Sequence, residues 1–564
     1  MKASRAGTGK SSRTNQARTG NKTRRTNSFD AKIRRVELVC AIALTIAIVV
    51  LHIHRASHAG PLWRDEIGTF DMGTFPSLHQ TWSLLASESF PLLIYMVVRG
   101  WALPGWHAVD MSLRVLGAVI GVGSLLALWS AKRLVDHRVP ILSLALFGLN
   151  ATVISWGDSL RAYGLGVLLI LLVYGSIWRV AVSSTPKRMA LAAAASILSV
   201  QCLYQNSLLV FAICVGGCLV CLRHRMWKGI LSILAIGGAA ALSLLPYIPT
   251  MIRAQQAGSL VQSDFGFTHL LKIFAAALGS DVLLWAWLIG GGCCVAVGFA
   301  FIVFRQMRDR SEPGHGDLAI FSATIMILGT VLFFLFLKGT QLTTETWYYI
   351  VILGTIALSI DISVELLAAP PLVKILRIAV SLLVAAVAIP LAWNQASLRQ
   401  TNIDFIAEQL GKQGSREDFV VVIPWYYGVT FQNYYRGDTR WSTAPPIQDL
   451  KVTRYDLLKE QMTLDRPLQP VFESIERSLK AGARVWIVGD LVAPREGQLP
   501  PSLPIAPNGP HGWYSGDYLG VWNLELGYFI KLHSVSAQRV NMQLDQPVNP
   551  YEQAPVLLFS GWRP

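Results

Sequence analysis

The run VELVCAIALTIAIVVLHIH, residues 36–54, is apolar along almost its whole length. About 20 such residues suffice for a helix to cross a bilayer. Ahead of it, residues 1–35 carry eleven Lys and Arg against a single acid, Asp30, amid Ser, Thr, Gly and Asn. That composition predicts a disordered basic tail. Before a first membrane span, such a tail keeps the N-terminus in the cytoplasm and touches anionic lipid. A nucleic-acid arm is the weaker reading, and no nucleic-acid partner is expected. The basic part is too long for a cleavable signal, and no small-residue cleavage site follows Val50.

Ten further apolar runs follow, near 112–131, 139–156, 160–179, 189–205, 207–222, 229–249, 282–304, 318–337, 345–361 and 373–393. The composition agrees: of 564 residues 52% are apolar and only 15% charged, where soluble chains carry about 25% charged residues. Several soluble domains are thereby excluded, and a polytopic α-helical membrane protein of about eleven spans is expected. Basic clusters at Lys132/Arg133/Arg138, Arg179/Lys187/Arg188, Arg223/Arg225/Lys228, Arg305/Arg308/Arg310 and Lys374/Arg377 alternate with less basic loops. The positive-inside rule places these clusters with the N-terminus in the cytoplasm. Residues 89–104, SFPLLIYMVVRGWALP, are also apolar, but a crossing there would turn all five clusters outward. They are read as a surface helix in a long first external loop, 55–111, and a loop of that length is usually functional.

The membrane domain is thus expected over 36–394. All seven cysteines lie in its apolar runs, where structural thiols are the expectation. Residues 395–564 hold sixteen Lys and Arg against seventeen Asp and Glu and no cysteine. They read as one external α/β domain. FVVVIPW (419–425) and ARVWIVGD (483–490) are short apolar runs fit for buried strands. Helical stretches at 402–412 and 470–480 precede them, and a helix near 516–532 leads to strands near 535–543 and 555–560.

Span interiors hold almost no ionisable residues. These gather instead at the outer ends: Arg64, Asp65, Glu66, Asp71, Glu88, Asp110, Arg114, Asp158, Arg161, Asp264, Asp281, Lys338 and Glu345. A transporter or flippase would place such groups near the midplane. An interfacial site suits an enzyme acting on a lipid-linked substrate better. The strongest feature is Leu62-Trp63-Arg64-Asp65-Glu66, just past the first span. Adjacent carboxylates there are costly to desolvate and suit general-base work or metal binding, although a bare Asp-Glu pair is more often an exposed acidic turn.

LWRDEIGTF resembles the LW-x-DE-A-(F/W) segment of the bacterial C-type (GT-C) glycosyltransferases, the superfamily of the protein O-mannosyltransferases and the lipid A aminoarabinose transferase. Three more segments follow in family order over 36–250. Glu88 to Tyr95 is similar to the HPPLYY surface helix, Asp110 to Gly117 to E-x-ALR-LxS, and Asp158 to Leu165 to EAR-x-Y-x-L. The family's His before its double Pro is Phe90 here, and Trp347-Tyr348-Tyr349 stands where relatives often have Arg-Tyr.

The resemblance implies an enzyme of a bacterial inner membrane. It would move a sugar from a polyprenyl-phosphate donor to a protein, lipid or glycan acceptor on the outer face, with inversion. Asp65 would be the general base, supported by Glu66. Glu88, Arg114, Asp158, Arg161, Tyr163 and Lys338 are candidates for holding substrate, with Arg161 foremost for the leaving phosphate. Some relatives bind a divalent metal, for which Asp65 and Glu88 are the candidate pair. His52, His54 and His58 are better read as interfacial side chains. The rival readings are a transporter or flippase of lipid-linked sugar and a non-catalytic membrane scaffold.

Overall fold

A computed structural model describes residues 11–88, 90–105, 110–258, 261–262, 265–304, 314–341, 344–367, 371–495, 497–509, 512–542 and 544–564. Asp264 and the basic cluster Arg305/Arg308/Arg310 lie outside the described residues, as do residues 1–10 of the expected tail. From Ser11 onward the backbone is helical, continuous with the first apolar run.

The N-terminal part runs α1 (Ser11–His58), α2 (Arg64–Thr74), α3 (Leu78–Leu84), α4 (Leu93–Ala102), α5 (Asp110–Asp136), α6 (Ile141–Ser143), α7 (Ala151–Gly157), α8 (Ala162–Val182), α9 (Pro186–Cys202), α10 (Asn206–Arg223) and α11 (Trp227–Leu242). It continues through α12 (Ile248–Gly258), α13 (Phe267–Leu278), α14 (Asp281–Phe304), α15 (His315–Thr340), α16 (Ile350–Leu367) and α17 (Pro371–Ala396). Among the described residues nine helices are long and apolar enough to cross a membrane. The other two of the eleven expected runs form shorter pieces. Residues 141–157 are α6, a π-helical turn and α7, broken where Asn150 caps α7 by accepting the Val153 N–H at 3.0 Å. Residues 186–202 are α9, opened by a Thr185 cap and Pro186.

The expected surface helix is α4. Its ten residues rise about 15 Å, half of a hydrocarbon core. It buries Ile94, Tyr95 and Val98 and packs on α2. On α11, α14 and α17, Leu231, Leu234, Trp285, Ile289, Leu372 and Leu383 are exposed. Apolar faces of this extent suit lipid, not water.

One sequence expectation needs correction. Lys132 and Arg377 were assigned to basic loops, yet both lie inside helices and are buried. Arg377 Nη2 donates to Asp361 at 2.7 Å and Nη1 to Glu37 at 2.5 Å. Lys132 Nζ lies 2.8 Å from Asp136 and 3.9 Å from Asp361, whose other oxygen accepts the Ser143 hydroxyl at 2.6 Å. A charge count along the chain cannot register that an acid on α16 neutralises bases on α5 and α17.

The C-terminal part has α18 (Ile403–Gln413), β1 (Phe419–Val422), α19 (Tyr427–Tyr434), β2 (Arg440–Thr443), α20 (Tyr455–Met462), α21 (Gln469–Lys480), β3 (Arg484–Val488), α22 (Ser515–His533), β4 (Ser534–Val540) and β5 (Val556–Trp562). Its sheet has the order β2-β1-β3-β5-β4; β1, β2 and β3 are parallel, and β5 runs antiparallel to β3 and β4. Successive strand residues face opposite ways. Val420 and Val422 therefore join Ile406 and Leu410 of α18, while Phe419 and Val421 join Ile475 of α21 and Trp522 of α22. This second cluster continues without a break into Leu62, Ile67, Val98, Leu113 and Leu160 of the membrane part. The two parts share a core.

Arg377→Ala is expected to destabilise the protein by about 3–5 kcal/mol, because Glu37 loses its buried partner and Asp361 keeps only the more distant Lys132 as a counter-charge. Thermal unfolding in detergent would register it; an unchanged melting point would contradict the assignment.

Candidate functional site

The site begins where α1 ends. Gly60 and Pro61 turn the chain, and α2 starts at Arg64 with Glu66 in its first turn. The Glu66 side chain is fully buried. Its Oε2 accepts the Trp63 N–H at 3.3 Å, satisfying a free donor of the helix start. Its Oε1 accepts from Arg114 Nη1 at 2.5 Å and from the Leu160 N–H at 2.9 Å. Arg114 completes the joint by donating to the carbonyls of Gly60 at 2.8 Å and Pro61 at 2.5 Å. Such saturation of both partners is what a buried ion pair needs. Glu66 and Arg114 thus hold α2, α5 and the turn before α8 together.

That turn, Asp158 to Arg161, presses on α5 at two glycines one helical turn apart. A Cβ at Gly117 would fall 1.9 Å from the Asp158 carbonyl oxygen, and one at Gly121 would fall 2.1 Å from Asp158 Oδ1. The close approach lets the Asp158 carboxylate meet His52 Nδ1 at 2.8 Å. Burial raises the Asp158 carboxyl above its ordinary value, and His52 partly offsets this. His54 is equally committed: it stacks on Trp393 at 3.8 Å and bonds Ser397 at 2.8 Å.

Arg161 is the N-cap of α8. Its Nη1 donates to the Asp65 carbonyl at 2.9 Å, the Thr69 hydroxyl at 3.0 Å and Glu88 Oε2 at 2.9 Å, and its guanidinium lies 4.4 Å over the Phe90 ring. Glu88 is buried, which raises its carboxyl pKa against the pull of Arg161. The Tyr163 ring meets Phe90 at 5.3 Å and Tyr348 at 5.9 Å.

Asp65 differs from its acidic neighbours. Its side chain remains 26% exposed, and its contact is Arg64 Nε at 3.3 Å. The Arg64 guanidinium sits 4.3 Å over Tyr426 of the C-terminal part and 5.1 Å over Trp63. Burial works against its charge, but Asp65 and Glu552 outweigh that and hold it above its ordinary value.

Of the sequence candidates, the structure gathers Asp65, Glu66, Glu88, Arg114, Arg161 and Tyr163 into one region, with Asp158 beside it. Lys338 instead donates to the Phe265 carbonyl at 2.6 Å. The residues present do not suit a divalent ion between Asp65 and Glu88, because Arg161 already holds Glu88. Among the described residues no three His, Cys, Asp or Glu side chains gather as a ligand set.

Sequence reasoning missed the C-terminal contribution. Tyr434 hydroxyl accepts the Leu62 N–H and donates to Asp110, each at 2.8 Å. Tyr551 hydroxyl donates to Glu345 at 2.6 Å. Tyr426 packs on Arg64, and the charge of Glu552 acts on it. Nothing in their local sequence signals this, since the pairs are separated by hundreds of residues.

No protein-family model matches the chain, and no curated protein does. Solved structures give distant likenesses. ArnT from Cupriavidus metallidurans bound to undecaprenyl phosphate is 14% identical, with 79% of this chain and 92% of that one covered and a TM-score of 0.45. The Archaeoglobus fulgidus oligosaccharyltransferase in its apo form is 12% identical, with 91% and 75% covered and a TM-score of 0.49. Likenesses at these scores carry no functional argument, which rests on the residues.

Glu66→Ala is expected to cost about 3–5 kcal/mol, because Arg114 is left buried and unpaired. Hydrogen exchange at α2 should rise sharply in that variant and stay unchanged in Asp65→Asn.

Proposed function

We propose that the protein is a membrane glycosyltransferase that moves a sugar from a polyprenyl-phosphate donor to an acceptor hydroxyl on the outer side of the membrane, with inversion. The observation that carries this reading is the contrast between Asp65 and its neighbours. Glu66, Glu88 and Asp158 are buried and bound to Arg114, Arg161 and His52, whereas the Asp65 side chain stays partly exposed and its backbone carbonyl accepts from Arg161. The four GT-C-like segments support it, because they supply Asp65, Glu88, Arg114, Asp158 and Arg161.

In this reading the acceptor hydroxyl gives its proton to the Asp65 carboxylate as its oxygen bonds the anomeric carbon. The bond from that carbon to the phosphate oxygen breaks, and the electron pair leaves with the lipid phosphate. One displacement inverts the centre. Arg161 receives the charge that develops on the phosphate. Among the described residues its hydrogen bonds leave from Nη1, and Nη2 and Nε are the nitrogens assigned to phosphate oxygens. Glu88 and Phe90 hold the guanidinium in plane. Glu66 and Arg114 take no proton; they set where Asp65 stands. The N-terminus is assigned to the cytoplasm, and residues 395–564 to the outer face.

Asp65→Asn should lower transfer about 10²–10⁴-fold, the scale of a lost general base, with the melting point unchanged. Radiolabelled polyprenyl-phosphate sugars and the purified protein in nanodiscs provide the assay. Retained transfer in the variant, or lipid-linked sugar moved across vesicles with Asp65 dispensable, would overturn the reading. Because Arg161 occupies Glu88 and no ligand set surrounds Asp65 among the described residues, transfer is also expected to survive EDTA.

A further inference from the structure

Helices α2 and α19, one from each part of the chain, pack against each other. On α2, Ile67, Asp71 and Thr74 are spaced four and three apart and so share one face. On α19, Val429, Gln432 and Asn433 do the same, and Arg436 follows just past the helix end. These residues bound a groove of about 300 Å³, which Leu450 and Lys451 also line. That volume lies at the lower end of the range of pockets that take small organic ligands. The groove has an apolar floor, because Ile67, Val429 and Leu450 belong to the core that the two parts share. Its rim is polar. Gln432, Arg436 and Lys451 are exposed, and Asp71, Thr74 and Asn433 are half-buried. Among the described residues neither the Gln432 nor the Asn433 amide has a hydrogen-bond partner. Burial pushes the Asp71 carboxyl up to about 7, so near neutral pH it both donates and accepts.

The next residues back along the same two faces are Arg64 and Tyr426. The Arg64 guanidinium lies 4.3 Å over the Tyr426 ring at that end of the groove, and its Nε contacts Asp65 at 3.3 Å. From Asp71 to Arg64 the helix rises about 10 Å. The groove therefore runs along α2 toward the residue that precedes Asp65. Its chemistry selects the occupant. An apolar chain would leave the rim unpaired. A simple anion would use Arg436 and Lys451 and leave the amides and Asp71 idle. Extended peptides are read chiefly through main-chain bonds to a strand edge or through apolar pockets, whereas α2 and α19 present side chains here. A hydroxyl both donates and accepts, and a chain bearing several hydroxyls satisfies the carboxyl, the amides and the cations together. We propose that this groove holds a saccharide acceptor, with its reacting hydroxyl toward Asp65. This rests on the reading of Asp65 as general base, and the groove adds no step to the transfer.

The probe is a glycan array of neutral and acidic oligosaccharides, read with the labelled full-length protein in nanodiscs. Wild type should bind a subset of them. The double variant Gln432→Ala/Asn433→Ala should weaken that binding about tenfold, the scale of two lost hydrogen bonds, with the melting point unchanged. If that protein does not fold, Lys451→Ala at the exposed rim should weaken binding of the same glycans. With a bound glycan as acceptor, the acceptor KM should rise about tenfold in the double variant while kcat and the donor KM stay those of wild type; a merely structural role would move all three. The proposal is overturned if wild type binds no glycan, if binding survives in both variants, or if label passes to peptide or lipid acceptors and not to glycans. Asp65→Asn should keep glycan binding and lose transfer. If Asp65→Asn transfers sugar, it is the glycosyltransferase reading that has failed, while glycan binding in the groove variants still decides the groove.

Discussion

The buried pair of Glu66 and Arg114 is the constraint on which the rest of the site depends. Three segments distant in the chain converge on it: the start of α2, the first turns of α5 and the turn that leads into α8. Consecutive residues of a helix point about 100° apart. Once Glu66 is pointed into the core, Asp65 is turned toward a partly open surface. An acidic dipeptide is thereby divided into one residue that fixes position and one whose side chain stays partly exposed.

The same device closes the opposite end of the bundle. Asp361 sits among Lys132, Arg377 and Ser143, and each of these groups would be costly in an apolar interior without its partners. The helices between the two networks carry apolar side chains outward and need no polar contact with lipid. The C-terminal sheet joins this framework through a shared hydrophobic core and through side chains that reach the site, Tyr426, Tyr434, Tyr551 and Glu552.

Much of this was legible in the chain. Apolar runs of membrane length mark the long helices because a spanning segment must satisfy its backbone internally and face lipid with its side chains. Strands β1 and β3 were visible because both of their faces are covered, which leaves an unbroken apolar run. The short strand β2, with its partly exposed side chains, carries no such signature. Asp65 was legible through its motif, and so was Arg161. Lys338 had an equally suitable chemical type and sequence position, but its ammonium is bound to the Phe265 carbonyl.

What the sequence determined by itself is therefore periodic or local: the helices, the buried strands and the inventory of charges near the ends of spans. Which charge meets which partner was decided by tertiary structure alone. Glu66 meets Arg114, Lys132 and Arg377 meet Asp361, and Tyr551 reaches Glu345 only once the helices and the C-terminal turn have packed. The reason is physical. Hydropathy and helix period act over a few residues, whereas the fate of a charge depends on the dielectric around it and on partners within about 4 Å, and those are brought in by segments far away along the chain.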